Sequence, residues 1–156
     1  MFSLTCGREF MRIVGKWLVS DDGVTRPVLQ AGVRALDGTL ETDVFLIDSG
    51  ADRTVFSADL LRRLGFPMTP APGNSILQGI SGVCESVVVK TVVELTRDDR
   101  GVVHMRGDFA AFTDSSASNL SILGRDILNF FDLILSRRRS EVLLLASNHQ
   151  YRVEPV

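Results

Sequence analysis

The stretch Thr42-Asp43-Val44-Phe45-Leu46-Ile47-Asp48-Ser49-Gly50-Ala51-Asp52 begins as a mostly apolar strand and runs directly into a carboxylate. An Asp-Ser-Gly triplet alone is an ordinary turn former. Here a strand delivers Asp48 to the end of a sheet, where burying a carboxylate is costly unless it is hydrogen-bonded or put to use. Gly50 permits a tight backbone, and the small Ala51 leaves room for a ligand.

Working outward, the pattern on both sides is mostly β. Val28, Gln30, Gly32 and Arg34 alternate with Leu29, Ala31, Val33 and Ala35, and Asp37-Gly38 is a hairpin-turn signal before the strand that ends at Ile47. Ser57 to Leu64 reads as a short helix, with Ser57 as N-cap, Leu60, Leu61 and Leu64 as its apolar face, and Gly65 where it stops. Pro67, Pro70 and Pro72 predict an extended loop. Two apolar stretches, the longer being Val87 to Leu95, flank Gly79-Ile80-Ser81-Gly82. Further strands are expected at Val102–Phe112, Leu120–Leu123, Asp132–Leu135 and Glu141–Ala146, with a short helix around Arg125–Phe130. Arg12–Val19 could form a strand of an N-terminal arm. Many short strands with little helix indicate an all-β barrel or sandwich.

Asp48-Ser49-Gly50-Ala51-Asp52-Arg53-Thr54-Val55-Phe56 resembles the active-site segment of the retropepsins, the retroviral-type aspartic proteases. Ile122-Leu123-Gly124-Arg125-Asp126-Ile127-Leu128 is similar to that family's second motif, two apolar residues, Gly, Arg and the start of a short helix. Between them, Gly79-Ile80-Ser81-Gly82 is similar to the tip of the flap hairpin that closes over substrate. The three motifs occur in the family's order and cover about Val28 to Phe131. The resemblance implies a retropepsin-like acid protease barrel with one or two short helices, a flap hairpin and a homodimeric assembly.

Metal-free hydrolysis of a peptide by this chemistry requires one carboxylate to activate water and a second carboxylic acid to polarise the scissile carbonyl. Two aspartates held ~3 Å apart cannot both ionise easily, so such a pair shares a proton and divides the roles. The chain has one such motif and no internal repeat, so the resemblance implies a symmetric homodimer with Asp48 of each subunit at the two-fold axis. It further implies that the Ser49 hydroxyl braces the two active-site loops and that Gly50 lets them approach. Asp52 would pair with Arg125 and offer its carboxylate to the substrate backbone, and Gly124 would let a strand pack tightly behind the active-site loop. Gly79 and Gly82 would let the flap bend, with Ile80 as its apolar tip. Asp48 is therefore the expected catalytic residue, supported by Ser49, Gly50, Ala51 and the Ile122-Leu123-Gly124 strand.

The chain also departs from the viral pattern. Phe131-Asp132-Leu133-Ile134-Leu135 followed by Val142-Leu143-Leu144-Leu145 resembles cellular relatives of the DNA-damage-inducible type, in which a hairpin follows the helix. A dimer interface built from that hairpin is expected, so that removing Glu141–Val156 should leave a monomer. The 156 residues fit one domain, with 1–25 as a possible removable arm, 26–131 as the core and 132–156 as the hairpin.

Composition narrows the alternatives. With 45% hydrophobic and 23% charged residues the chain reads as a soluble globular protein, and a formal charge of -2 argues against a general nucleic-acid binder. Cys6 and Cys84 are too few for a disulfide framework, and no Cys/His cluster or His-Glu-x-x-His motif supports zinc or another cofactor. No apolar run approaches a membrane span and no signal-peptide pattern opens the sequence, so no membrane partner and a cytoplasmic location are expected. Ser49 lacks the surroundings of a serine nucleophile, with only His104 and His149 as conceivable bases. Arg137-Arg138-Arg139 reads as a solvated hairpin tip. The expected partners are a second copy of the chain and a peptide or protein substrate; the competing reading is a retropepsin-like dimerisation or peptide-binding module without useful catalysis.

Overall fold

The computed structural model describes residues 12–69, 76–79 and 82–146. The long strand β3 (Thr25–Arg34) folds back on β4 (Leu40–Ile47) through a turn in which Gly38 takes φ 86 and the Asp37 carboxylate accepts the Thr39 N–H at 2.9 Å. The Thr39 hydroxyl and amide hold the Asp37 carboxyl below the usual carboxylate range. Leu29, Ala31, Val33 and Ala35 all face the core, as strand alternation requires.

Six strands close into a barrel. β4 runs parallel to β9 (Ser121–Leu123), β9 antiparallel to the two-residue β5 (Val55–Phe56), and β5 parallel to β8 (Val102–Phe112). β8 pairs along its whole length with β7 (Gly82–Thr96), and β7 returns to β3 through Gly32↔Glu94 and Val33↔Val93. Phe45 meets Phe56 edge-on and Phe56 meets Phe109 at a tilt inside, with centroids 6.1 Å and 5.4 Å apart. Helix α1 (Ala58–Leu64) covers one opening. The Ser57 hydroxyl accepts the Leu60 N–H at 3.1 Å, Gly65 ends the helix at φ 73, and Leu60, Leu61 and Leu64 are buried.

Two strands precede the barrel rather than one. β1 (Arg12–Val14) and β2 (Lys16–Val19) are separated at Gly15, where the chain passes from one sheet to another. A Cβ at Gly15 would lie 2.4 Å from the Val28 carbonyl oxygen, so this crossing needs glycine for space. β2 pairs with β3, while β1 joins β11 (Glu141–Ala146) and β10 (Phe131–Ser136) in a three-stranded sheet ordered β1-β11-β10. That sheet belongs to the core: Ile13, Val142 and Leu144 are at most 1% exposed. Removing Glu141–Val156 would therefore strip the subunit's own interior, at about 2–5 kcal/mol for a buried Leu alone, and would unfold the chain before it could report on association.

The segment β6 (Ile76–Gly79) pairs with the start of β7, matching Gly79 with Gly82, which adopts φ 116. The intervening Ile80 and Ser81 lie outside the described residues, as do Cys6, Pro70, Pro72, His149 and residues 1–11 and 147–156. His104 is exposed on β8, with Nε2 3.6 Å from the buried Glu94, which also meets Arg34. Among the described residues, no helix is long and apolar enough to cross a membrane.

Candidate active site

The parallel β4–β9 ladder runs Phe45↔Ser121, Leu46↔Ile122 and Ile47↔Leu123. One more bond, Asp48 N–H to the Leu123 carbonyl at 3.1 Å, carries it to the strand's end. The chain then turns: Asp48 Oδ1 accepts the Gly50 N–H at 2.9 Å, and the Asp48 carbonyl accepts the Ala51 N–H at 3.2 Å. Asp48 is half-buried there, with Ser49 and Gly50 exposed beside it.

The rest of the loop is sewn to the start of helix α2 (Arg125–Leu128). Arg125 N–H donates to the Ala51 carbonyl at 2.8 Å and Asp126 N–H to the Asp52 carbonyl at 3.2 Å. Asp52 and Arg125 form an ion pair through one carboxylate oxygen and one guanidinium nitrogen. Their side chains are 77% and 51% exposed, so the pair adds little stability.

Two residues given no role on sequence grounds hold the loop in place. Thr54 is fully buried; its N–H reaches both Asp126 carboxylate oxygens at 2.9 Å, and its hydroxyl donates to Asp126 Oδ1 at 2.7 Å. The same hydroxyl accepts the Gly124 N–H at 3.1 Å. Both residues stand inside the quoted motifs, but nothing in their spacing says that side chains 72 positions apart will meet. Gly124 itself lies against the loop backbone, where an added Cβ would come within 2.4 Å of the Arg53 carbonyl carbon and oxygen.

Apart from the main core, Val55, Ala110 and Phe112 form a smaller buried apolar cluster, with Ile122, Ala117 and Cys84 packed against it. Cys84 stands on β7 opposite Leu77, so this contact ties the β6–β7 hairpin to that cluster. Asp114 accepts the Ser116 N–H at 2.8 Å, a bond that also keeps its carboxyl below the usual range. Leu123 belongs instead to the main core. Among the described residues, no three His, Cys, Asp or Glu side chains cluster so as to hold a metal ion.

The model of the aspartyl protease family matches residues 35–127, more than half of the chain. The chain belongs to the aspartyl protease family. Among solved structures, it is similar to a retropepsin-like aspartic protease from Rickettsia conorii, with 15% identity over 89% of this chain and 99% of the other and a TM-score of 0.55. It is also similar to the EIAV protease complexed with the inhibitor HBY-793, with 24% identity over 71% of this chain and 92% of the other and a TM-score of 0.46. No curated protein matches the sequence. The fold of this family member is thus retropepsin-like: an all-β barrel with two short helices and the β6–β7 hairpin.

Proposed function

We propose that two copies of this chain form an aspartic endopeptidase in which the Asp48 carboxylates meet across a two-fold axis. The observation that carries this reading is the state of the three carboxylates around the loop. Asp52 is paired with Arg125 and Asp126 is held by Thr54, which leaves Asp48 as the carboxylate of the three with no cation or side-chain partner among the described residues. A single carboxylate cannot act as base and acid at once, so one subunit supplies half of the chemistry.

In the assembled pair, the ionised Asp48 takes a proton from water as its oxygen attacks the scissile carbonyl. The protonated Asp48 of the other subunit gives its proton to the carbonyl oxygen, forming a gem-diol. The Asp48 that took the water proton then gives it to the leaving nitrogen, while the other Asp48 takes a proton from a gem-diol hydroxyl as the C–N bond breaks, which returns the pair to its starting state with one shared proton. Digestion of a peptide library with and without an aspartic-protease inhibitor that mimics the tetrahedral intermediate tests the proposal. Cleavage blocked by the inhibitor supports it; a dimer that binds peptides without cutting any favours the binding-module reading.

The hairpin after α2 is the proposed contact between subunits. β10 is an edge strand among the described residues; Phe130, just before it, is 65% exposed and Leu135, on it, 43%. Apolar edges of this kind are normally covered. Phe130→Ser combined with Leu135→Glu is expected to shift sedimentation from dimer to monomer and to retain the fold, since both side chains are exposed. A dimer of unchanged stability would rule this surface out.

If an N-terminal segment is removed on activation, the cut must spare β1. Ile13 is 1% exposed, and Trp17 Nε1 donates at 3.2 Å to the carbonyls of Ser136 and Glu141. Mass spectrometry after incubation at mildly acidic pH is expected to find no folded product starting later than Arg12. A stable fragment that begins near Val19 would contradict this.

A further inference from the structure

The hairpin between β10 and β11 turns through Arg137-Arg138-Arg139, and the fold holds this tip in one shape. The Ser140 N–H meets the Arg137 carbonyl at 3.2 Å, with Ser140 at φ 54, and the Arg139 N–H meets Ser136 Oγ at 3.2 Å. Trp17 Nε1 donates to both carbonyls at the base of the tip, those of Ser136 and Glu141. The Trp17 ring in turn carries the Arg137 guanidinium, 5.0 Å from its centroid. Such a cation–π contact is worth about 0.5–1 kcal/mol at an exposed site, enough to favour one placement of a long side chain.

Charge at the tip is not balanced. Arg139 Nε meets Glu141 Oε2 at 3.0 Å, whereas Arg137 and Arg138 are exposed and meet no carboxylate among the described residues. Two adjacent guanidiniums thus stand uncompensated on a chain whose formal charge is -2. β2, which bears Trp17, packs on β11, and β11 flanks β10 on the side away from its free edge. The Arg137–Trp17 pair therefore sides with β11, apart from the edge proposed for the subunit contact. The number of cations decides which anion fits. A guanidinium can hold a carboxylate with two parallel hydrogen bonds, so two of them suit two neighbouring acidic side chains. Anionic membranes draw clusters of about four to eight basic residues, and nucleic acid draws a basic domain; neither describes two cations on a net-negative chain.

We propose that Arg137 and Arg138 form a docking site for a short acidic segment of another protein, one with neighbouring Asp or Glu side chains. Arg137 is already placed on Trp17, so less side-chain freedom is lost on binding than at an unsupported loop. Docking here uses neither Asp48 nor the β6–β7 hairpin, so it stands or falls separately from the protease reading.

Trp17 is the sole tryptophan of the chain, so its fluorescence reports directly on the tip. Titrating the full chain with hexaglutamate, checked by mass spectrometry to stay uncut, is expected to change that fluorescence in a saturable way. The apparent Kd should rise several-fold between about 50 and 500 mM salt, as exposed charges are screened. Hexalysine should produce no change. Arg138→Gln leaves the Arg137–Trp17 contact in place and should weaken binding about two- to fivefold, the worth of one exposed ion pair. Arg137→Gln combined with Arg138→Gln should weaken it by about tenfold, read by calorimetry because this variant also changes the surroundings of Trp17. No saturable response in the wild type, an equal response to hexalysine, or an unchanged Kd in the double variant overturns the proposal. So does a DNA duplex or a phosphatidylserine vesicle that binds the tip about tenfold more tightly than hexaglutamate, which would assign it to nucleic acid or to a membrane. Should the variants fail to fold, the wild-type responses to the two peptides and to salt decide alone.

Discussion

Asp48→Asn is expected to lower peptide hydrolysis by at least about 10^4-fold while the subunit keeps its fold. The replacement is nearly isosteric, and its carbonyl oxygen can still accept the Gly50 N–H that shapes the turn. It cannot take a proton from water at neutral or acidic pH, nor present one to a carbonyl as an acid would. The thermal midpoint should move by only a few degrees, since about 1 kcal/mol shifts a domain of this size by roughly 2–4 °C. Mixed populations make the test sharper. If each site needs Asp48 from both subunits, random exchange with the variant lowers activity as the square of the wild-type share, so that an equal mixture retains about a quarter. A linear fall would mean that each subunit works alone, and undiminished cleavage by the pure variant would remove Asp48 from the chemistry.

What could be read from the sequence was local. Ser57, the Leu60-Leu61-Leu64 face and Gly65 mark helix α1 because cap, stripe and stop all act within one or two turns. Asp37-Gly38 marks a turn because the carboxylate bonds an amide two residues on. β3, β8 and β11 announce themselves by alternation or by apolar density. Barrel closure left no such trace: β3 meets β7 through only two residue pairs, Gly32↔Glu94 and Val33↔Val93, and neither glycine nor glutamate advertises a seam. β5 is too short for any period, and it exists because β8 and β9 flank it. The break at Gly15 was missed because Arg12–Val19 looks continuous until the two partners, β11 and β3, are known.

The candidate site divides in the same way. Asp48, Asp52 and Arg125 stood out through the quoted motifs, and the last two do meet. The Thr54–Asp126 clamp did not stand out, because a buried threonine and a helix-start aspartate each have an ordinary local explanation. Their joint effect is nevertheless to fix the ends of the loop that aims Asp48.

Gly124→Ala should be strongly damaging for a single added methyl group. Gly124 has φ -99 and ψ -177, a conformation open to any residue, so the requirement is for space rather than for backbone freedom. The added carbon would sit 2.4 Å from the Arg53 carbonyl carbon and oxygen and 2.9 Å from the Thr54 nitrogen, all backbone atoms that no rotamer change can clear. Either β9 or the 48–54 loop must move, and the Asp48–Leu123, Arg125–Ala51 and Thr54–Asp126 bonds lie directly in the way. We expect a loss of about 3 kcal/mol, at the upper end for overpacking, seen as a fall of roughly 6–12 °C in the thermal midpoint, together with loss of cleavage. Gly50→Ala is the control that separates fold from function. A Cβ there would meet only the Asp48 Oδ1 at 3.1 Å, the far end of a side chain, so stability should stay within about 1 kcal/mol. Activity should still drop, because the carboxylate that yields is the one proposed to activate water, and because the same position is proposed to face the partner subunit. Equal destabilisation by the two substitutions would mean that the tight contact behind the loop is not where its rigidity originates.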